Sequence, residues 1–573
     1  MKRIFLFISL ILVASVTVCA QSQDRWTILQ DGSIQWKPTR NLPHEDHVEM
    51  SGQMLSVVLR YGVDVQQRFH LNRSLVFPML RMKPNKTQNN LKQRFDVNIP
   101  AMVTVDDQTL LNEVVQDITF NGIMRVESDY GYIYRRKELK NAIHVTRILY
   151  PSINAPRYLE EYTFKNNSQN PITLRVPEWR VTYTTPEEAG VYGAYRIEAS
   201  LSKKGTFILK PGETLDFYAI YSGKKVSDDV TEKDNTAFSR ITIQSERAGR
   251  QALINQWWEN LVLDTPDPVL NRMFAFAKLR GAESIYRTKG GLMHGPGGEA
   301  YYAAVWANDQ AEYINPFFPF LGYDIGNESA LNAYRHFARY MNPEYNPIPS
   351  SIISEGVSFW HGAKDRGDGA MIAYGAARYA LARGDKEEAR ELWPLIEWCL
   401  EYCKRKLTPD GVVASNSDEL ENRFPAGDAN LCTSTLYYDA LRSAALLGRE
   451  IGVSGKQLAT YTAQAKALES AIENHFGYEI EGFHSYRYYE GNDILRSWIC
   501  MPLVMGIYTR AQGTIDALFS PRLWTNDGLL TQAGTETFWD RSTLYALRGT
   551  IAAGEVEKGM DFLKKTDIKI GIY

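Results

Sequence analysis

The stretch Asp264-Thr265-Pro266-Asp267-Pro268 divides the chain into two regions of different character. Its prolines interrupt regular structure, and Pro268 suits the first turn of a new helix. Upstream, from about residue 24 to residue 245, the pattern is that of strands. Trp26-Thr27-Ile28-Leu29, then Asp31-Gly32, then Ser33-Ile34-Gln35-Trp36 reads as a hairpin. Residues 54–80 alternate in polarity. Residues 158–176 place two strands around Asn166-Asn167-Ser168-Gln169-Asn170. Residues 206–209 and 215–221 do the same around Lys210-Pro211-Gly212-Glu213. β-Branched and aromatic residues with regular Gly, Pro and Asn punctuation predict an antiparallel β-sandwich.

Residues 247–263 read as a helical linker, with Trp257 and Trp258 placed to dock on a neighbouring surface. Beyond Pro268, helical patterns are expected at 269–285, 310–321, 329–340, 368–383, 386–404, 431–449, 455–476, 495–509, 542–553 and 555–564. Many are Ala-rich, and they recur as pairs at intervals of roughly 40 residues, which predicts a helical toroid or solenoid. The expected division is a leader over 1–20, a β-sandwich domain over 21–245, a helical linker over 246–268 and a helical domain over 269–573.

Lys2 and Arg3 precede an apolar run over residues 4–18, followed by Val18-Cys19-Ala20 and Gln21. That is the layout of a secretory signal peptide, too short for a membrane span. Val18 is bulkier than a lipoprotein signal places before its cysteine. The expectation is therefore cleavage after Ala20 and a periplasmic or secreted protein, rather than a lipid anchor. With 44% apolar and 23% charged residues the chain has an ordinary globular composition. Its net charge of −3 supplies no electrostatic reason to expect a nucleic-acid or membrane-surface partner. Cys399, Cys403, Cys432 and Cys500 are too few for a disulfide framework in a chain of this length and read as small buried hydrophobes. The P-loop, the dinucleotide glycine fingerprint, HExxH and zinc-type Cys/His spacing are all missing, so neither a metal nor an organic cofactor is expected.

Three loop clusters combine carboxylates with aromatics, which suits recognition of sugar hydroxyls and sugar faces, and a fourth gathers carboxylates alone. Gly295-Pro296-Gly297-Gly298-Glu299-Ala300-Tyr301-Tyr302 runs on to Trp306 and Asp309. There Tyr302 and Trp306 offer stacking faces and Asp309 a hydroxyl acceptor; the alternative is core aromatics and a helix cap. Ser354-Glu355 through Trp360, then Asp365-Arg366-Gly367-Asp368, places Trp360 near Asp365 or Asp368, the alternative being a cap and a surface ion pair. Ser417-Asp418-Glu419-Leu420-Glu421-Asn422 packs three carboxylates into one loop, where crowding raises at least one pKa as a general acid requires. The alternative is a solvated acidic turn. Thr535-Glu536-Thr537-Phe538-Trp539-Asp540-Arg541 sets Glu536 and Asp540 about Trp539, with Asp540 as helix cap the alternative.

Taken in order, these motifs resemble the six-hairpin glycosidases, a β-sandwich followed by an (α/α)6 toroid, whose members include trehalases, glucoamylases, rhamnosidases and maltose-type phosphorylases. Trp258 with Thr265-Pro266-Asp267 and Leu270-Asn271 resembles their sandwich-to-toroid linker. Gly297-Gly298-Glu299 to Trp306 and Asp309 resembles the Gly-rich stretch, and Phe538-Trp539-Asp540-Arg541-Ser542 the late Trp-Asp loop. Asp418-Glu419, with residues 430–438 behind it, resembles the general-acid loop of the maltose-phosphorylase group. The resemblance implies that Glu419 is the acid, with Asp418 or Glu421 as substitutes. Sugar contacts are further expected from Glu299, Tyr302, Trp306, Asp309, Trp360, Asp365, Glu421, Trp539 and Asp540. In trehalase- and glucoamylase-like relatives the second carboxylate lies in or near the last hairpin, a region expected to be incomplete here, which leaves Glu536 and Asp540 as candidate bases. The implied activity is an exported, inverting, exo-acting glycoside hydrolase on an oligosaccharide or polysaccharide. The alternatives are a sugar phosphorylase and an inactive glycan-binding protein.

Overall fold

A computed structural model describes residues 25–230, 240–302, 304–357, 365–421 and 423–567. The expected leader and Trp360 lie outside the described residues. The strand signals resolve into one nine-stranded and two four-stranded antiparallel sheets around a common apolar core. The expected hairpin forms from Trp26–Ile28 and Ile34–Trp36, with Trp26 opposite Trp36, and edges the large sheet. Strands His44–Ser51, Ser56–Val63, Phe69–Arg81 and Asn90–Phe95 form one small sheet. From it Val57, Leu59, Leu75 and Phe77 enter the core that Val126, Val145, Tyr158 and Phe217 enter from the large sheet.

The strands on either side of Asn166–Asn170 do not pair with each other. Arg157–Asn166 lies in the large sheet, whereas Ile172–Val176 pairs with Gly205–Leu209 in the other small one. The turn is a crossing between sheets. Fully buried Asn166 braces the crossing by donating to the carbonyls of Asn170 (2.8 Å) and Leu209 (2.9 Å).

Helix Arg240–Glu259 joins the two regions. Buried Arg250 donates to the Ser51 carbonyl (2.7 Å), the Gly122 carbonyl (3.0 Å) and Glu283 (2.5 Å), so one guanidinium ties two sheets to the first helix beyond the divide. Trp257 meets Tyr323 edge-on at 5.7 Å, and Trp258 meets Phe276 at 5.9 Å. Asp267 caps helix Pro268–Glu283 by accepting from the Val269 and Leu270 amides. Thr265 and Asn271 brace the entry through three hydrogen bonds of 2.7–2.9 Å.

The helical region has inner and outer members. Asp368–Arg383 and Leu431–Ile451 are buried along most of their length and pack on each other. Lys386–Arg405 and Gly455–Phe476 cover them and bury only one stripe each. The expected helices over 368–383 and 455–476 form with those bounds. The expected helix over 495–509 does not. It is a short turn, Ser497–Cys500, then Met501–Val504, stopped where Gly506 takes a left-handed φ of 84°. The four described cysteines are buried and unpaired. Among the described residues, no helix is long and apolar enough to cross a membrane.

Candidate active site

The loops that precede three of the buried helical segments converge on one cavity of about 400 Å3. Trp306, Asn308 and Asp309 reach it from strand Ala304–Trp306 and the π-helical segment Ala307–Ile314. Glu419, Glu421 and Arg423 come from the loop before Leu431–Ile451, and Trp539 and Arg541 from the start of Asp540–Ala552. Pro296 and Tyr301 complete the helical side. Thr87 and Gln88 come from the β-region.

The sequence reading predicts an ordinary helix over 310–321. The structure winds Ala307–Ile314 as a π-helix before α-helix Asn315–Leu321. Such insertions concentrate at functional sites because the wider turn re-aims side chains. Here Asn308, Asp309, Glu312 and Tyr313 all serve the cluster around Glu419 and Arg541. The Tyr313 hydroxyl donates to Glu419 at 3.0 Å, and the Asn308 amide donates at 3.4 Å. Arg541 donates to Glu419 with one nitrogen and to Asp309 with the other, the latter at 2.6 Å. Its guanidinium lies over the Tyr313 ring at 4.1 Å and the Trp539 ring at 5.1 Å.

Beside Glu419 sits Glu312, which is 3% exposed and accepts from the Tyr545 hydroxyl at 2.9 Å. Burial, and then the neighbouring charge of Glu419, hold the Glu312 proton well above the usual carboxylate range. Three carboxyl groups thus surround one guanidinium.

The three carboxylates of residues 418–421 take different directions. Asp418 turns inward, accepting from the Leu420 amide and the Tyr488 hydroxyl, both at 2.8 Å, 3.9 Å from Arg496. Burial raises its pKa against those partners. It shapes the turn and does not line the cavity. Glu421, at a left-handed φ of 54°, accepts from buried Arg366 at 2.9 Å at the cavity wall. Asn430 holds the loop in place. Its oxygen caps the following helix at Thr433, and its amide donates to the carbonyls of Ser415 and Ser417.

Other sequence candidates lie elsewhere. Glu299 is clamped by Arg60 (2.6 Å) and Arg94 (3.1 Å) of the β-region, and these partners, working against burial, hold its pKa at about 2. Tyr302 is fully buried against Tyr286 and Val76, in the seam between the regions. The ring that reaches the cavity is its neighbour Tyr301, 5.6 Å from Trp306. Asp365 accepts from the Tyr402 hydroxyl and the Gly367 amide and supports the loop from behind. Glu536 and Asp540 are exposed, and neither lines the cavity. Asn308, Glu312, Tyr313 and Arg541 were not singled out by sequence. Only the Trp-Asp-Arg order at 539–541 marked the place where the central cation stands.

No protein-family model matches the chain, and no curated protein matches it in sequence. Solved structures do. A bacterial glucoamylase complexed with acarbose superposes with a TM-score of 0.51 at 10% identity, over 92% of this chain and 90% of that one. A putative kojibiose phosphorylase from human microbiome gives 0.51 at 9% identity, over 95% and 85%. Both hold a β-sheet region followed by a helical region, and this chain shares their fold.

Proposed function

We propose that this protein is a carbohydrate-active enzyme that breaks a glycosidic bond in the cavity between Trp306 and Trp539. The observation that carries the reading is the gathering of Glu419, Asp309 and Glu312 around Arg541, beside two indoles, in a space within the range of about 300–1,000 Å3 common for small-ligand sites. Indole faces suit the apolar faces of sugar rings, and the carboxylates accept from sugar hydroxyls.

In the hydrolytic reading, the one proton that the adjacent buried carboxyls Glu312 and Glu419 retain rests on Glu312, passes to Glu419, and from Glu419 goes to the departing glycosidic oxygen. A second carboxylate takes a proton from water as it attacks the anomeric carbon. Asp309 and Glu421 are the other carboxylates lining the cavity, and one of them supplies the base. Inversion requires it to stand about 6.5–9.5 Å from Glu419. Exo action, inversion, the toroidal closure of the helices and export of the protein rest on the sequence resemblance and the leader-like N-terminus.

A second reading is phosphorolysis. Arg423 and Arg541 both line the cavity, and two guanidinium groups suit a phosphate dianion in place of activated water. A single assay separates the two. Sugar release from aryl glycosides and oligosaccharides is measured with and without inorganic phosphate. Release in its absence, abolished by Glu419→Gln, establishes hydrolysis. Strict phosphate dependence establishes the second reading. Saturable sugar binding without turnover removes both and leaves a glycan-binding protein.

A further inference from the structure

Two of the cavity's lining residues, Thr87 and Gln88, belong to the β-region rather than to the helices that carry the carboxylates. They sit on the connection between strands Phe69–Arg81 and Asn90–Phe95. The ladder between those strands slips after Phe77 opposite Leu91 and resumes only at Arg81 opposite Asn90. The chain beyond is held from within by Arg81. This residue is fully buried, and its guanidinium donates to Asn85 (3.0 Å), to Asn90 (2.7 Å) and to the Lys86 carbonyl. It also stands 3.7 Å from Glu355, on the turn that follows strand Ser351–Ile353. That strand pairs with Ala304–Trp306, so Arg81 links the connection to the hairpin that presents Trp306.

Depth orders the cavity. Glu419, Asn308 and Trp306 are 3%, 7% and 8% exposed. Gln88 is exposed, and so are Tyr301 and Arg423. Glu419 is therefore at the bottom and the β-region connection is at the mouth. Thr87 and Gln88 bring a hydroxyl and an amide, neutral groups that both donate to and accept from sugar hydroxyls.

We propose that the connection over residues 82–89 is a specificity element for the substrate beyond the sugar undergoing cleavage, with Thr87 and Gln88 as contacts and Arg81 as the positioning residue. The inference rests on the glycosidic reading above. The hydroxyls of a second or third sugar ring meet Thr87 and Gln88 at this wall, whereas an aryl leaving group offers them no hydroxyls to bond.

The test compares wild type with Gln88→Ala, the double variant Thr87→Val/Gln88→Ala, and Arg81→Lys. The substrates are an aryl monoglycoside, the matching disaccharide and the matching trisaccharide. Sugar binding is followed in parallel by isothermal titration calorimetry. The expected result is a loss of about 3- to 10-fold in kcat/KM or affinity for the longer sugars, carried by KM, with the aryl glycoside within twofold of wild type. Arg81→Lys shows the same selective loss, because lysine cannot serve three fixed acceptors at once. Equal loss on all three substrates, or no loss on any, overturns the proposal. A wild type that neither binds nor turns over any sugar overturns the glycosidic reading and the proposal with it.

Discussion

Buried charge is handled differently in the two halves of the molecule. In the β-region two buried cations each have one carboxylate. Arg73 is bidentate to Glu160, and Arg147 pairs with Glu113 at 2.6 Å, all of them 6% exposed or less. Tyr162 and Tyr130 complete these networks with further hydroxyl bonds. In the helical region Arg541 faces Glu419 and Asp309 directly, with Glu312 behind them. A balanced pair locks a core. A surplus of carboxyls forces a proton to stay, and a retained proton beside an open cavity is available for chemistry.

Five substitutions would break or sharpen that contrast. The largest effect is expected at Glu419. Glu419→Gln should lower kcat by about 10²–10⁴-fold with the folded spectrum retained, measured by steady-state kinetics and circular dichroism. A variant that keeps full activity sinks the assignment of Glu419 as the acid. Next is the β-region pair. Glu160→Ala leaves Arg73 buried without its partner and should cost about 3–5 kcal/mol in denaturant unfolding, while kcat of the folded fraction stays at the wild-type level.

Glu312→Gln should act through pH. A carboxyl whose folded pKa is raised contributes stability fully below its unfolded value, near 4.3, and loses it as pH rises through the folded value. The neutral amide has no such dependence. The variant should therefore gain stability relative to wild type as pH rises above about 5; a constant difference would show that Glu312 is not held protonated. The smallest effects are expected at Glu536→Gln and Asp540→Asn. These residues are exposed and off the cavity, so stability should move by less than about 0.5 kcal/mol and activity by less than about twofold. A large loss at either would return the base to the late loop.

Much of the helical region was legible because its signals are local. Asp385, Asn430 and Ser454 cap helices, and Gly384 and Gly452 end them, so pattern and punctuation agree. The β-region was legible as strands but not as sheets. Nothing local distinguishes a hairpin turn from the crossing at residues 166–170. The site was legible in part. Glu419, Glu421, Trp306, Asp309 and Trp539 stand in loops where chemistry-bearing residues cluster. Glu299 and Tyr302 share that local signature, yet face the seam, because left-handed Glu299 meets three cations of one small sheet.

By itself the sequence determined the order of the regions, the positions of most helices and the loops that hold carboxylates with aromatics. Each depends on neighbours within a few residues, through hydrophobic period, capping and turn chemistry. Only the tertiary structure decided which carboxyls meet. Asp309 and Arg541 are 232 residues apart and Glu419 and Arg541 are 122 apart, and a π-helical turn aims Asn308 and Tyr313 at the same group. Which carboxyl keeps its proton follows from burial and from the charge beside it, and both are properties of the packed chain.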